Sequence, residues 1–375
     1  MNQDEILSRA FKSLDALNPE ATFLSENALC NVDTWYDTGC YALNAIVSGK
    51  LKDGGVPKGR LVIFAGPSQT GKTLLVNKIL GIAQKKGITP VIFDTEFAID
   101  KNTTAGVGLD PDKTKYVPVY TVENARNQIS TFLDSIVEHN MQGKFIISLD
   151  SLGNLASSKE VSDAEKDKGA SDMGTRAKGL KSLLRLLTYK AGRAGVTILM
   201  TNHTYSDPAS LYPSLVQSQS GGSGPLYMAS VIVQLAKRNE KQDANNEDDT
   251  ILPEAKNYSG ATLRALTVKN RFVPPFLEAS IQLNYLTGLD KYSGLLEMAV
   301  NHGLIIQTGA TYQKPDGTKL GYAKNFTKDS KFYEELIPLL DKKLEAAYKY
   351  GNATGDVAVE SPKTTKAAKS SKEDV

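Results

Sequence analysis

The residues best equipped for chemistry lie in one run, Gly66-Pro67-Ser68-Gln69-Thr70-Gly71-Lys72-Thr73. Its spacing is that of a phosphate loop, G-x-x-x-x-G-K-[ST]. The glycines let the backbone wrap a phosphate chain with its N–H groups pointing inward. Lys72 reaches the outer phosphates, and Thr73 supplies a hydroxyl for Mg²⁺. Hydrolysis needs two further groups, a metal carboxylate and a residue that orients water. Asp150 closes the apolar run FIISLD and suits the first role, while Glu96 in FDTEFAID suits the second.

Those groups must be held by strands and helices, and the sequence supplies them. LVIFA (61–65) precedes the loop, and a helical run follows it with Leu75, Ile79, Ile82 and Ala83 on one face. PVIFD, YVPVY, FIISLD and VTILMT repeat the pattern of short, wholly apolar runs separated by helical stretches. Strands apolar on both faces, alternating with helices, predict an α/β fold with a mostly parallel sheet flanked by helices. Beyond Ala229, VIVQLA, TLRALTV and FLEASIQL read as antiparallel strands that extend this sheet. A helix near 293–302, a hairpin around Asp316–Gly317 and a final helix ending near Tyr350 predict a small carboxy-terminal α/β lobe. The expected division is an amino-terminal helical segment (1–34), a core (35–285), the lobe (286–350) and a tail (351–375). The tail is too poor in apolar residues to fold.

Composition narrows the function classes. Of 375 residues, 41% are hydrophobic and 23% charged, with no apolar run of membrane-spanning length, so a soluble protein is expected. A charged amino terminus argues against export, and two cysteines, Cys30 and Cys40, cannot build a disulfide framework, which points to a reducing, cytoplasmic setting. Net charge is +2, so any nucleic-acid site must be local. One such place is the helix predicted over 175–193, which holds Arg176, Lys178, Lys181, Arg185, Lys190 and Arg193 and no acid. Lys178, Lys181 and Arg185 share one face, suited to a phosphate backbone, and Leu180, Leu184 and Leu187 share another. Two stretches without apolar periodicity, about 155–173 and 205–225, are longer than ordinary connections and read as functional loops.

Several of these segments together carry a family resemblance. TGCYALNAIVSG…GRLVIFAGPSQTGKT, DTEFAID, SLDSLGNLAS, SDMGTRAKGLKSLLRLLT, TNHTY, GGSGPLYMAS, VKNR and DKYSGLLEMA, in this order, resemble the RecA family of DNA strand-exchange proteins, its phage members in particular. The likeness runs from about residue 35 to 345. It implies an ATP-dependent, Mg²⁺-dependent DNA recombinase whose ATP lies between adjacent subunits of a helical filament. Lys72, Thr73, Asp150 and Glu96 would act in cis. Lys269 and Arg271 would reach the neighbour's phosphates, as an arginine finger does. Asp100 and Tyr285 would flank the base, with Thr103 replacing a second aromatic. His203 would link the γ-phosphate to the second loop.

The two long stretches match the family's DNA-binding loops, which implicates Tyr205, Gly221 and Gly222 together with Arg176 and Lys178. The implied partners are single-stranded DNA, a homologous duplex, further copies of the chain, a single-strand-binding protein and a recombination mediator. For a phage protein the setting is the host cytoplasm, with no membrane partner. A ring helicase would need a larger amino-terminal domain, and a non-catalytic mediator would be expected to lack Glu96 or the Lys269/Arg271 pair.

Overall fold

The computed structural model describes residues 3–18, 20–27, 29–166, 173–205, 216–241, 258–284 and 288–348. In chain order, α1 (Gln3–Leu17), β1 (Trp35–Tyr36), α2 (Tyr41–Ser48) and β2 (Val56–Pro57) precede the phosphate loop. Next come β3 (Leu61–Gly66), α3 (Lys72–Lys85), β4 (Thr89–Asp94), α4 (Lys101–Gly106), β5 (Lys115–Pro118), α5 (Val122–Glu138) and β6 (Phe145–Asp150). They lead to α6 (Ser158–Glu165), α7 (Met173–Ala194), β7 (Thr197–Tyr205), β8 (Ser218–Gln219) and α8 (Gly224–Met228). The strands β9 (Val231–Lys241), β10 (Tyr258–Asn270), β11 (Glu278–Asn284) and β12 (Gly288–Leu289) follow. The carboxy-terminal part holds α9 (Leu295–Asn301), β13 (Ile306–Thr308), β14 (Thr311–Gln313), β15 (Lys319–Tyr322) and α10 (Ser330–Tyr348).

The large sheet has the order β12-β11-β10-β9-β3-β7-β6-β4-β5, with β8 paired to β7. From β9 to β5 every pairing is parallel, and β10, β11 and β12 add on antiparallel. Alternation along the central strands explains the continuous apolar runs, whereas β5, read from YVPVY as buried on both faces, is largely exposed because it is the last strand of the sheet. In β3, Val62 and Phe64 enter the cluster built with α2, α3, α9 and α10. Leu61, Ile63 and Ala65 enter the cluster built with α5 and α7. Each face needs its own helices because each is fully apolar. α9 and α10 close the first cluster, β12 continues the large sheet past residue 285, and β13, β14 and β15 form a separate three-stranded antiparallel sheet between the two helices in sequence.

The first long stretch differs from the expectation of a structureless loop, because α6 forms inside it. Ser157 caps that helix, accepting from the Glu160 N–H at 3.0 Å, while the Glu160 carboxylate takes the Ser157 N–H. This capping box stabilises a short polar helix that has no apolar stripe to reveal it. The basic helix begins earlier than expected, at Met173. On α1, Leu7, Phe11, Leu14 and Leu17 are exposed. The expectations for 167–172, 206–215, Tyr285 and the tail fall outside the described residues.

Candidate nucleotide and nucleic-acid site

β3 delivers the chain to the phosphate loop at the carboxyl edge of the sheet, where open α/β folds hold ligands. Gly66 is required there, since a Cβ would lie 2.5 Å from the Leu235 carbonyl oxygen of β9. Gln69 and Gly71 take left-handed φ values of 61° and 77°, which turn the loop so that Gly71 becomes the N-cap of α3. No side chain caps this helix, so its first N–H groups face the loop as an anion-binding surface. Lys72 is buried, with Nζ donating to the carbonyls of Gly66 at 3.1 Å and Pro67 at 2.8 Å. Burial pulls its pKa down, and the charges of Asp150 and Glu96 oppose that shift.

The acids meet because β4 and β6 are adjacent, parallel strands in which Asp94 pairs with Asp150. Thr73 Oγ1 donates to Asp150 Oδ2 at 2.6 Å, and Thr201 donates to Oδ1. Burial pushes the Asp150 pKa up, while these two hydroxyls favour its ionised form. A hydroxyl and a carboxylate in contact are the donor pair that suits Mg²⁺, a hard cation that keeps much of its water. Glu96 stands two residues past β4. Its Oε1 accepts from Ser151 Oγ at 2.6 Å and lies 3.3 Å from His203 Nε2. Partial burial raises the Glu96 pKa, but the bonds from Ser151 and His203 outweigh it and hold the group below the usual range. Glu96 is therefore an acceptor at neutral pH. A cleft of about 390 Å³ joins Lys72, Thr73, Glu96, Asp150 and His203.

On β7, His203 pairs in register with Gly66, which sets its ring beside the phosphate loop. Its carbonyl accepts from Ser220 N at 3.1 Å, and Asn202 Nδ2 donates to the Ser220 carbonyl at 2.9 Å. These bonds fasten the returning chain to β7 just ahead of Gly221 and Gly222, whose φ values are 91° and 64°. Arg176 lies at the start of α7 and holds the carbonyls of Gly153 and Leu155, with Ser220 Oγ at 3.5 Å. Its guanidinium thus ties α7 to both loop regions. Lys178 and Tyr205 are exposed.

Asp100 caps α4, accepting from the N–H groups of Asn102 and Thr103 at 2.9 and 3.0 Å. Thr103 and Val107 line the cleft, as do Leu263 and Leu283. Lys269 and Arg271 sit at the other edge of the sheet, because Lys269 pairs with Ile232 near the start of β9. Lys269 donates to the carbonyls of Leu226 and Tyr227, and Arg271 to that of Tyr227 at 3.2 Å. Both cations are thus gathered at the end of α8, away from their own chain's phosphate loop. Burial, with Arg271 nearby, pulls the Lys269 pKa down to about 8.

Ser151, Thr201 and Asp94 were missed by reading the chain alone. Ser151 follows Asp150 directly and Asp94 stands two residues before Glu96, which offered some signal, but the bond of Thr201 to Asp150 depends on bringing together strands distant in sequence.

The family model of the RecA N-terminal domain matches residues 9–290. The recombination and repair protein of Enterobacteria phage T4 is 31% identical over 267 residues, which cover 71% of this chain and 63% of that protein. Protein RecA of Leptospira meyeri is 28% identical over 299 residues, covering 78% of this chain and 72% of the relative. Protein RecA of Streptomyces rimosus is 27% identical over 311 residues, covering 82% and 76% respectively. With its phosphate loop at the edge of a mostly parallel sheet and most of its length matched by that family model, this chain belongs to the RecA family.

Proposed function

We propose that this protein is an ATP-dependent DNA recombinase that coats single-stranded DNA as a helical filament and exchanges it with a homologous duplex. The observation that carries this reading is the continuity from Glu96 to His203 and on to the Gly221–Gly222 segment. A water-orienting acid joined to a strand that leads into a DNA-binding loop gives phosphate chemistry a route to the nucleic acid. Membership of the RecA family and the T4 recombination and repair protein among the relatives support the same reading.

In the proposed reaction, the amides of the phosphate loop and Lys72 hold the triphosphate, and Thr73 and Asp150 would hold Mg²⁺. When bound there, the metal would supply positive charge against the phosphates. Glu96 accepts a hydrogen bond from the attacking water and aims it at the γ-phosphorus. As the new O–P bond forms, the bond from that phosphorus to the β-phosphate's bridging oxygen breaks, ADP leaves, and the water's proton passes to the released phosphate or to solvent. Ser151 and His203 keep that carboxylate ionised and in place. Lys269 and Arg271 of the next subunit supply the remaining positive charge, so hydrolysis depends on assembly.

DNA would run past Arg176, Lys178, Tyr205 and the two glycines, bound through its backbone and hence without regard to sequence. Homology is then tested by base pairing. The exchange of one strand for an identical one is nearly thermoneutral, which leaves ATP as a switch between gripping and release. A single-strand-binding protein and a loading mediator are the expected accessory partners, and a host cytoplasm the expected setting. Among the described residues, no helix is long and apolar enough to cross a membrane.

The test is phosphate release with and without single-stranded DNA, paired with joint formation between a single strand and a homologous supercoiled duplex. DNA-stimulated turnover together with homology-dependent joints is the expected result. Turnover indifferent to DNA, with no joints formed, would contradict the proposal.

A further inference from the structure

Glu96 stands outside any regular element, so something other than a strand must fix it. Asp94, the last residue of β4 and 1% exposed, does so with both carboxylate oxygens. Oδ1 accepts from the N–H of Glu96 at 2.8 Å and from that of Phe97 at 3.0 Å. Oδ2 accepts from the Tyr116 hydroxyl, on β5, at 3.1 Å. The first pair of bonds closes a turn over residues 94–97 and accompanies a left-handed φ of 54° at Phe97. Between those residues, Thr95 is tied to the end of β6. Its N–H donates to the Asp150 carbonyl at 2.7 Å, and its hydroxyl accepts from Ser151 N at 2.8 Å. The turn is therefore fixed to the strand that carries Asp150 and Ser151.

We propose that Asp94, oriented by Tyr116, is a positioning residue for ATP hydrolysis, setting the turn that holds Glu96 within reach of Ser151, His203 and the attacking water. This rests on the catalytic reading of Glu96. Asp94 lines no part of the cleft, so its effect falls on the rate of the chemical step and spares the binding of nucleotide. Burial, with Asp94 opposite, raises the Tyr116 pKa and keeps that hydroxyl a donor at neutral pH. An asparagine can still accept from both N–H groups, whereas an alanine cannot.

The experiment compares Asp94→Ala, Asp94→Asn, Tyr116→Phe and Glu96→Gln in the full chain, reading kcat, KM for ATP and the affinity for a fluorescent ATP analogue. Asp94→Ala is expected to lower kcat by about 10- to 100-fold with analogue affinity unchanged, since small misplacements cost rates of that order. Asp94→Asn is expected to restore most of the loss, a rescue that a purely structural charge would not give. Should Asp94→Ala fail to fold, Tyr116→Phe decides. A kcat lowered severalfold at constant analogue affinity supports the proposal, and an unchanged kcat overturns it. A folded Asp94→Ala with normal kcat overturns it as well. Full activity in Glu96→Gln would remove the parent reading, whereas an inactive Glu96→Gln beside an active Asp94→Ala would remove this inference alone.

Discussion

Glu96 receives two hydrogen bonds on one oxygen, from Ser151 and His203, and this arrangement decides what the residue can do. Its pKa is held below the ordinary carboxylate range, so it has little tendency to donate a proton and suits the proposed role of orienting water. Glu96→Gln keeps the shape and removes the charge. Phosphate release is expected to fall by about 10²-fold or more while ATP and DNA remain bound. Wild-type turnover in that variant would exclude Glu96 from the mechanism.

Lys269 gives a second expectation at this scale. Its folded pKa of about 8 lies below the ordinary 10.5, so the unfolded chain binds more protons between those values. The cost of burying this charge is full below pH 8 and is relieved as pH rises through that window. The same shift leaves a free subunit's Lys269 increasingly neutral as pH rises above about 8, so on the proposed reading pairing with a neighbour's triphosphate would take up a proton. ATP-dependent assembly, followed by light scattering, is expected to weaken as pH rises above about 8, and Lys269→Arg is expected to flatten that profile. An equal decline in Lys269→Arg would assign the pH effect to another group.

At the scale of elements, the position of α3 depends on a close approach. A Cβ on Gly81 would lie 2.7 Å from the Gly108 carbonyl oxygen, in the segment that follows α4. Gly81→Ala would gain about 1 kcal/mol in helix propensity but cost about 1–3 kcal/mol through overpacking. Net destabilisation is expected, visible as a lower denaturant midpoint at constant slope. A raised midpoint would mean that the neighbouring chain yields easily. On α7, Lys178, Lys181 and Arg185 are exposed while Leu180, Leu184 and Leu187 are buried, as the spacing of the sequence predicts. Replacing the three cations by alanine is expected to weaken single-strand binding and reduce its salt slope by about 2. An unchanged slope would take this face off the DNA path.

The same helices and strands show where the sequence was legible. The buried strands could be read because each is apolar on both faces, and the phosphate loop because its function fixes its spacing. α6 was hidden because its stability comes from the Ser157–Glu160 cap and not from an apolar stripe. The hold of Ser151 and His203 on Glu96 was hidden because both reach it only after β4, β6 and β7 align, whereas Asp94 acts through a local turn two residues away.

Over the whole molecule, the sheet separates two sets of charges. Lys72, Thr73, Glu96 and Asp150 share the cleft at its carboxyl edge. Lys269 and Arg271 gather at the end of α8, at the opposite edge. On the proposed reading such a chain would become catalytically complete by stacking head to tail, an interface that need not close on itself and so would grow into a filament. Mixing two defective variants tests this most directly. Lys72→Ala lacks the cis lysine and Lys269→Ala the trans one, and each alone is expected to be inactive on single-stranded DNA. In an equal mixture about a quarter of the interfaces should combine an intact phosphate loop with an intact Lys269, so DNA-stimulated ATP turnover should return. A mixture as inactive as its components, or a Lys269→Ala protein that turns over normally by itself, would contradict the shared site.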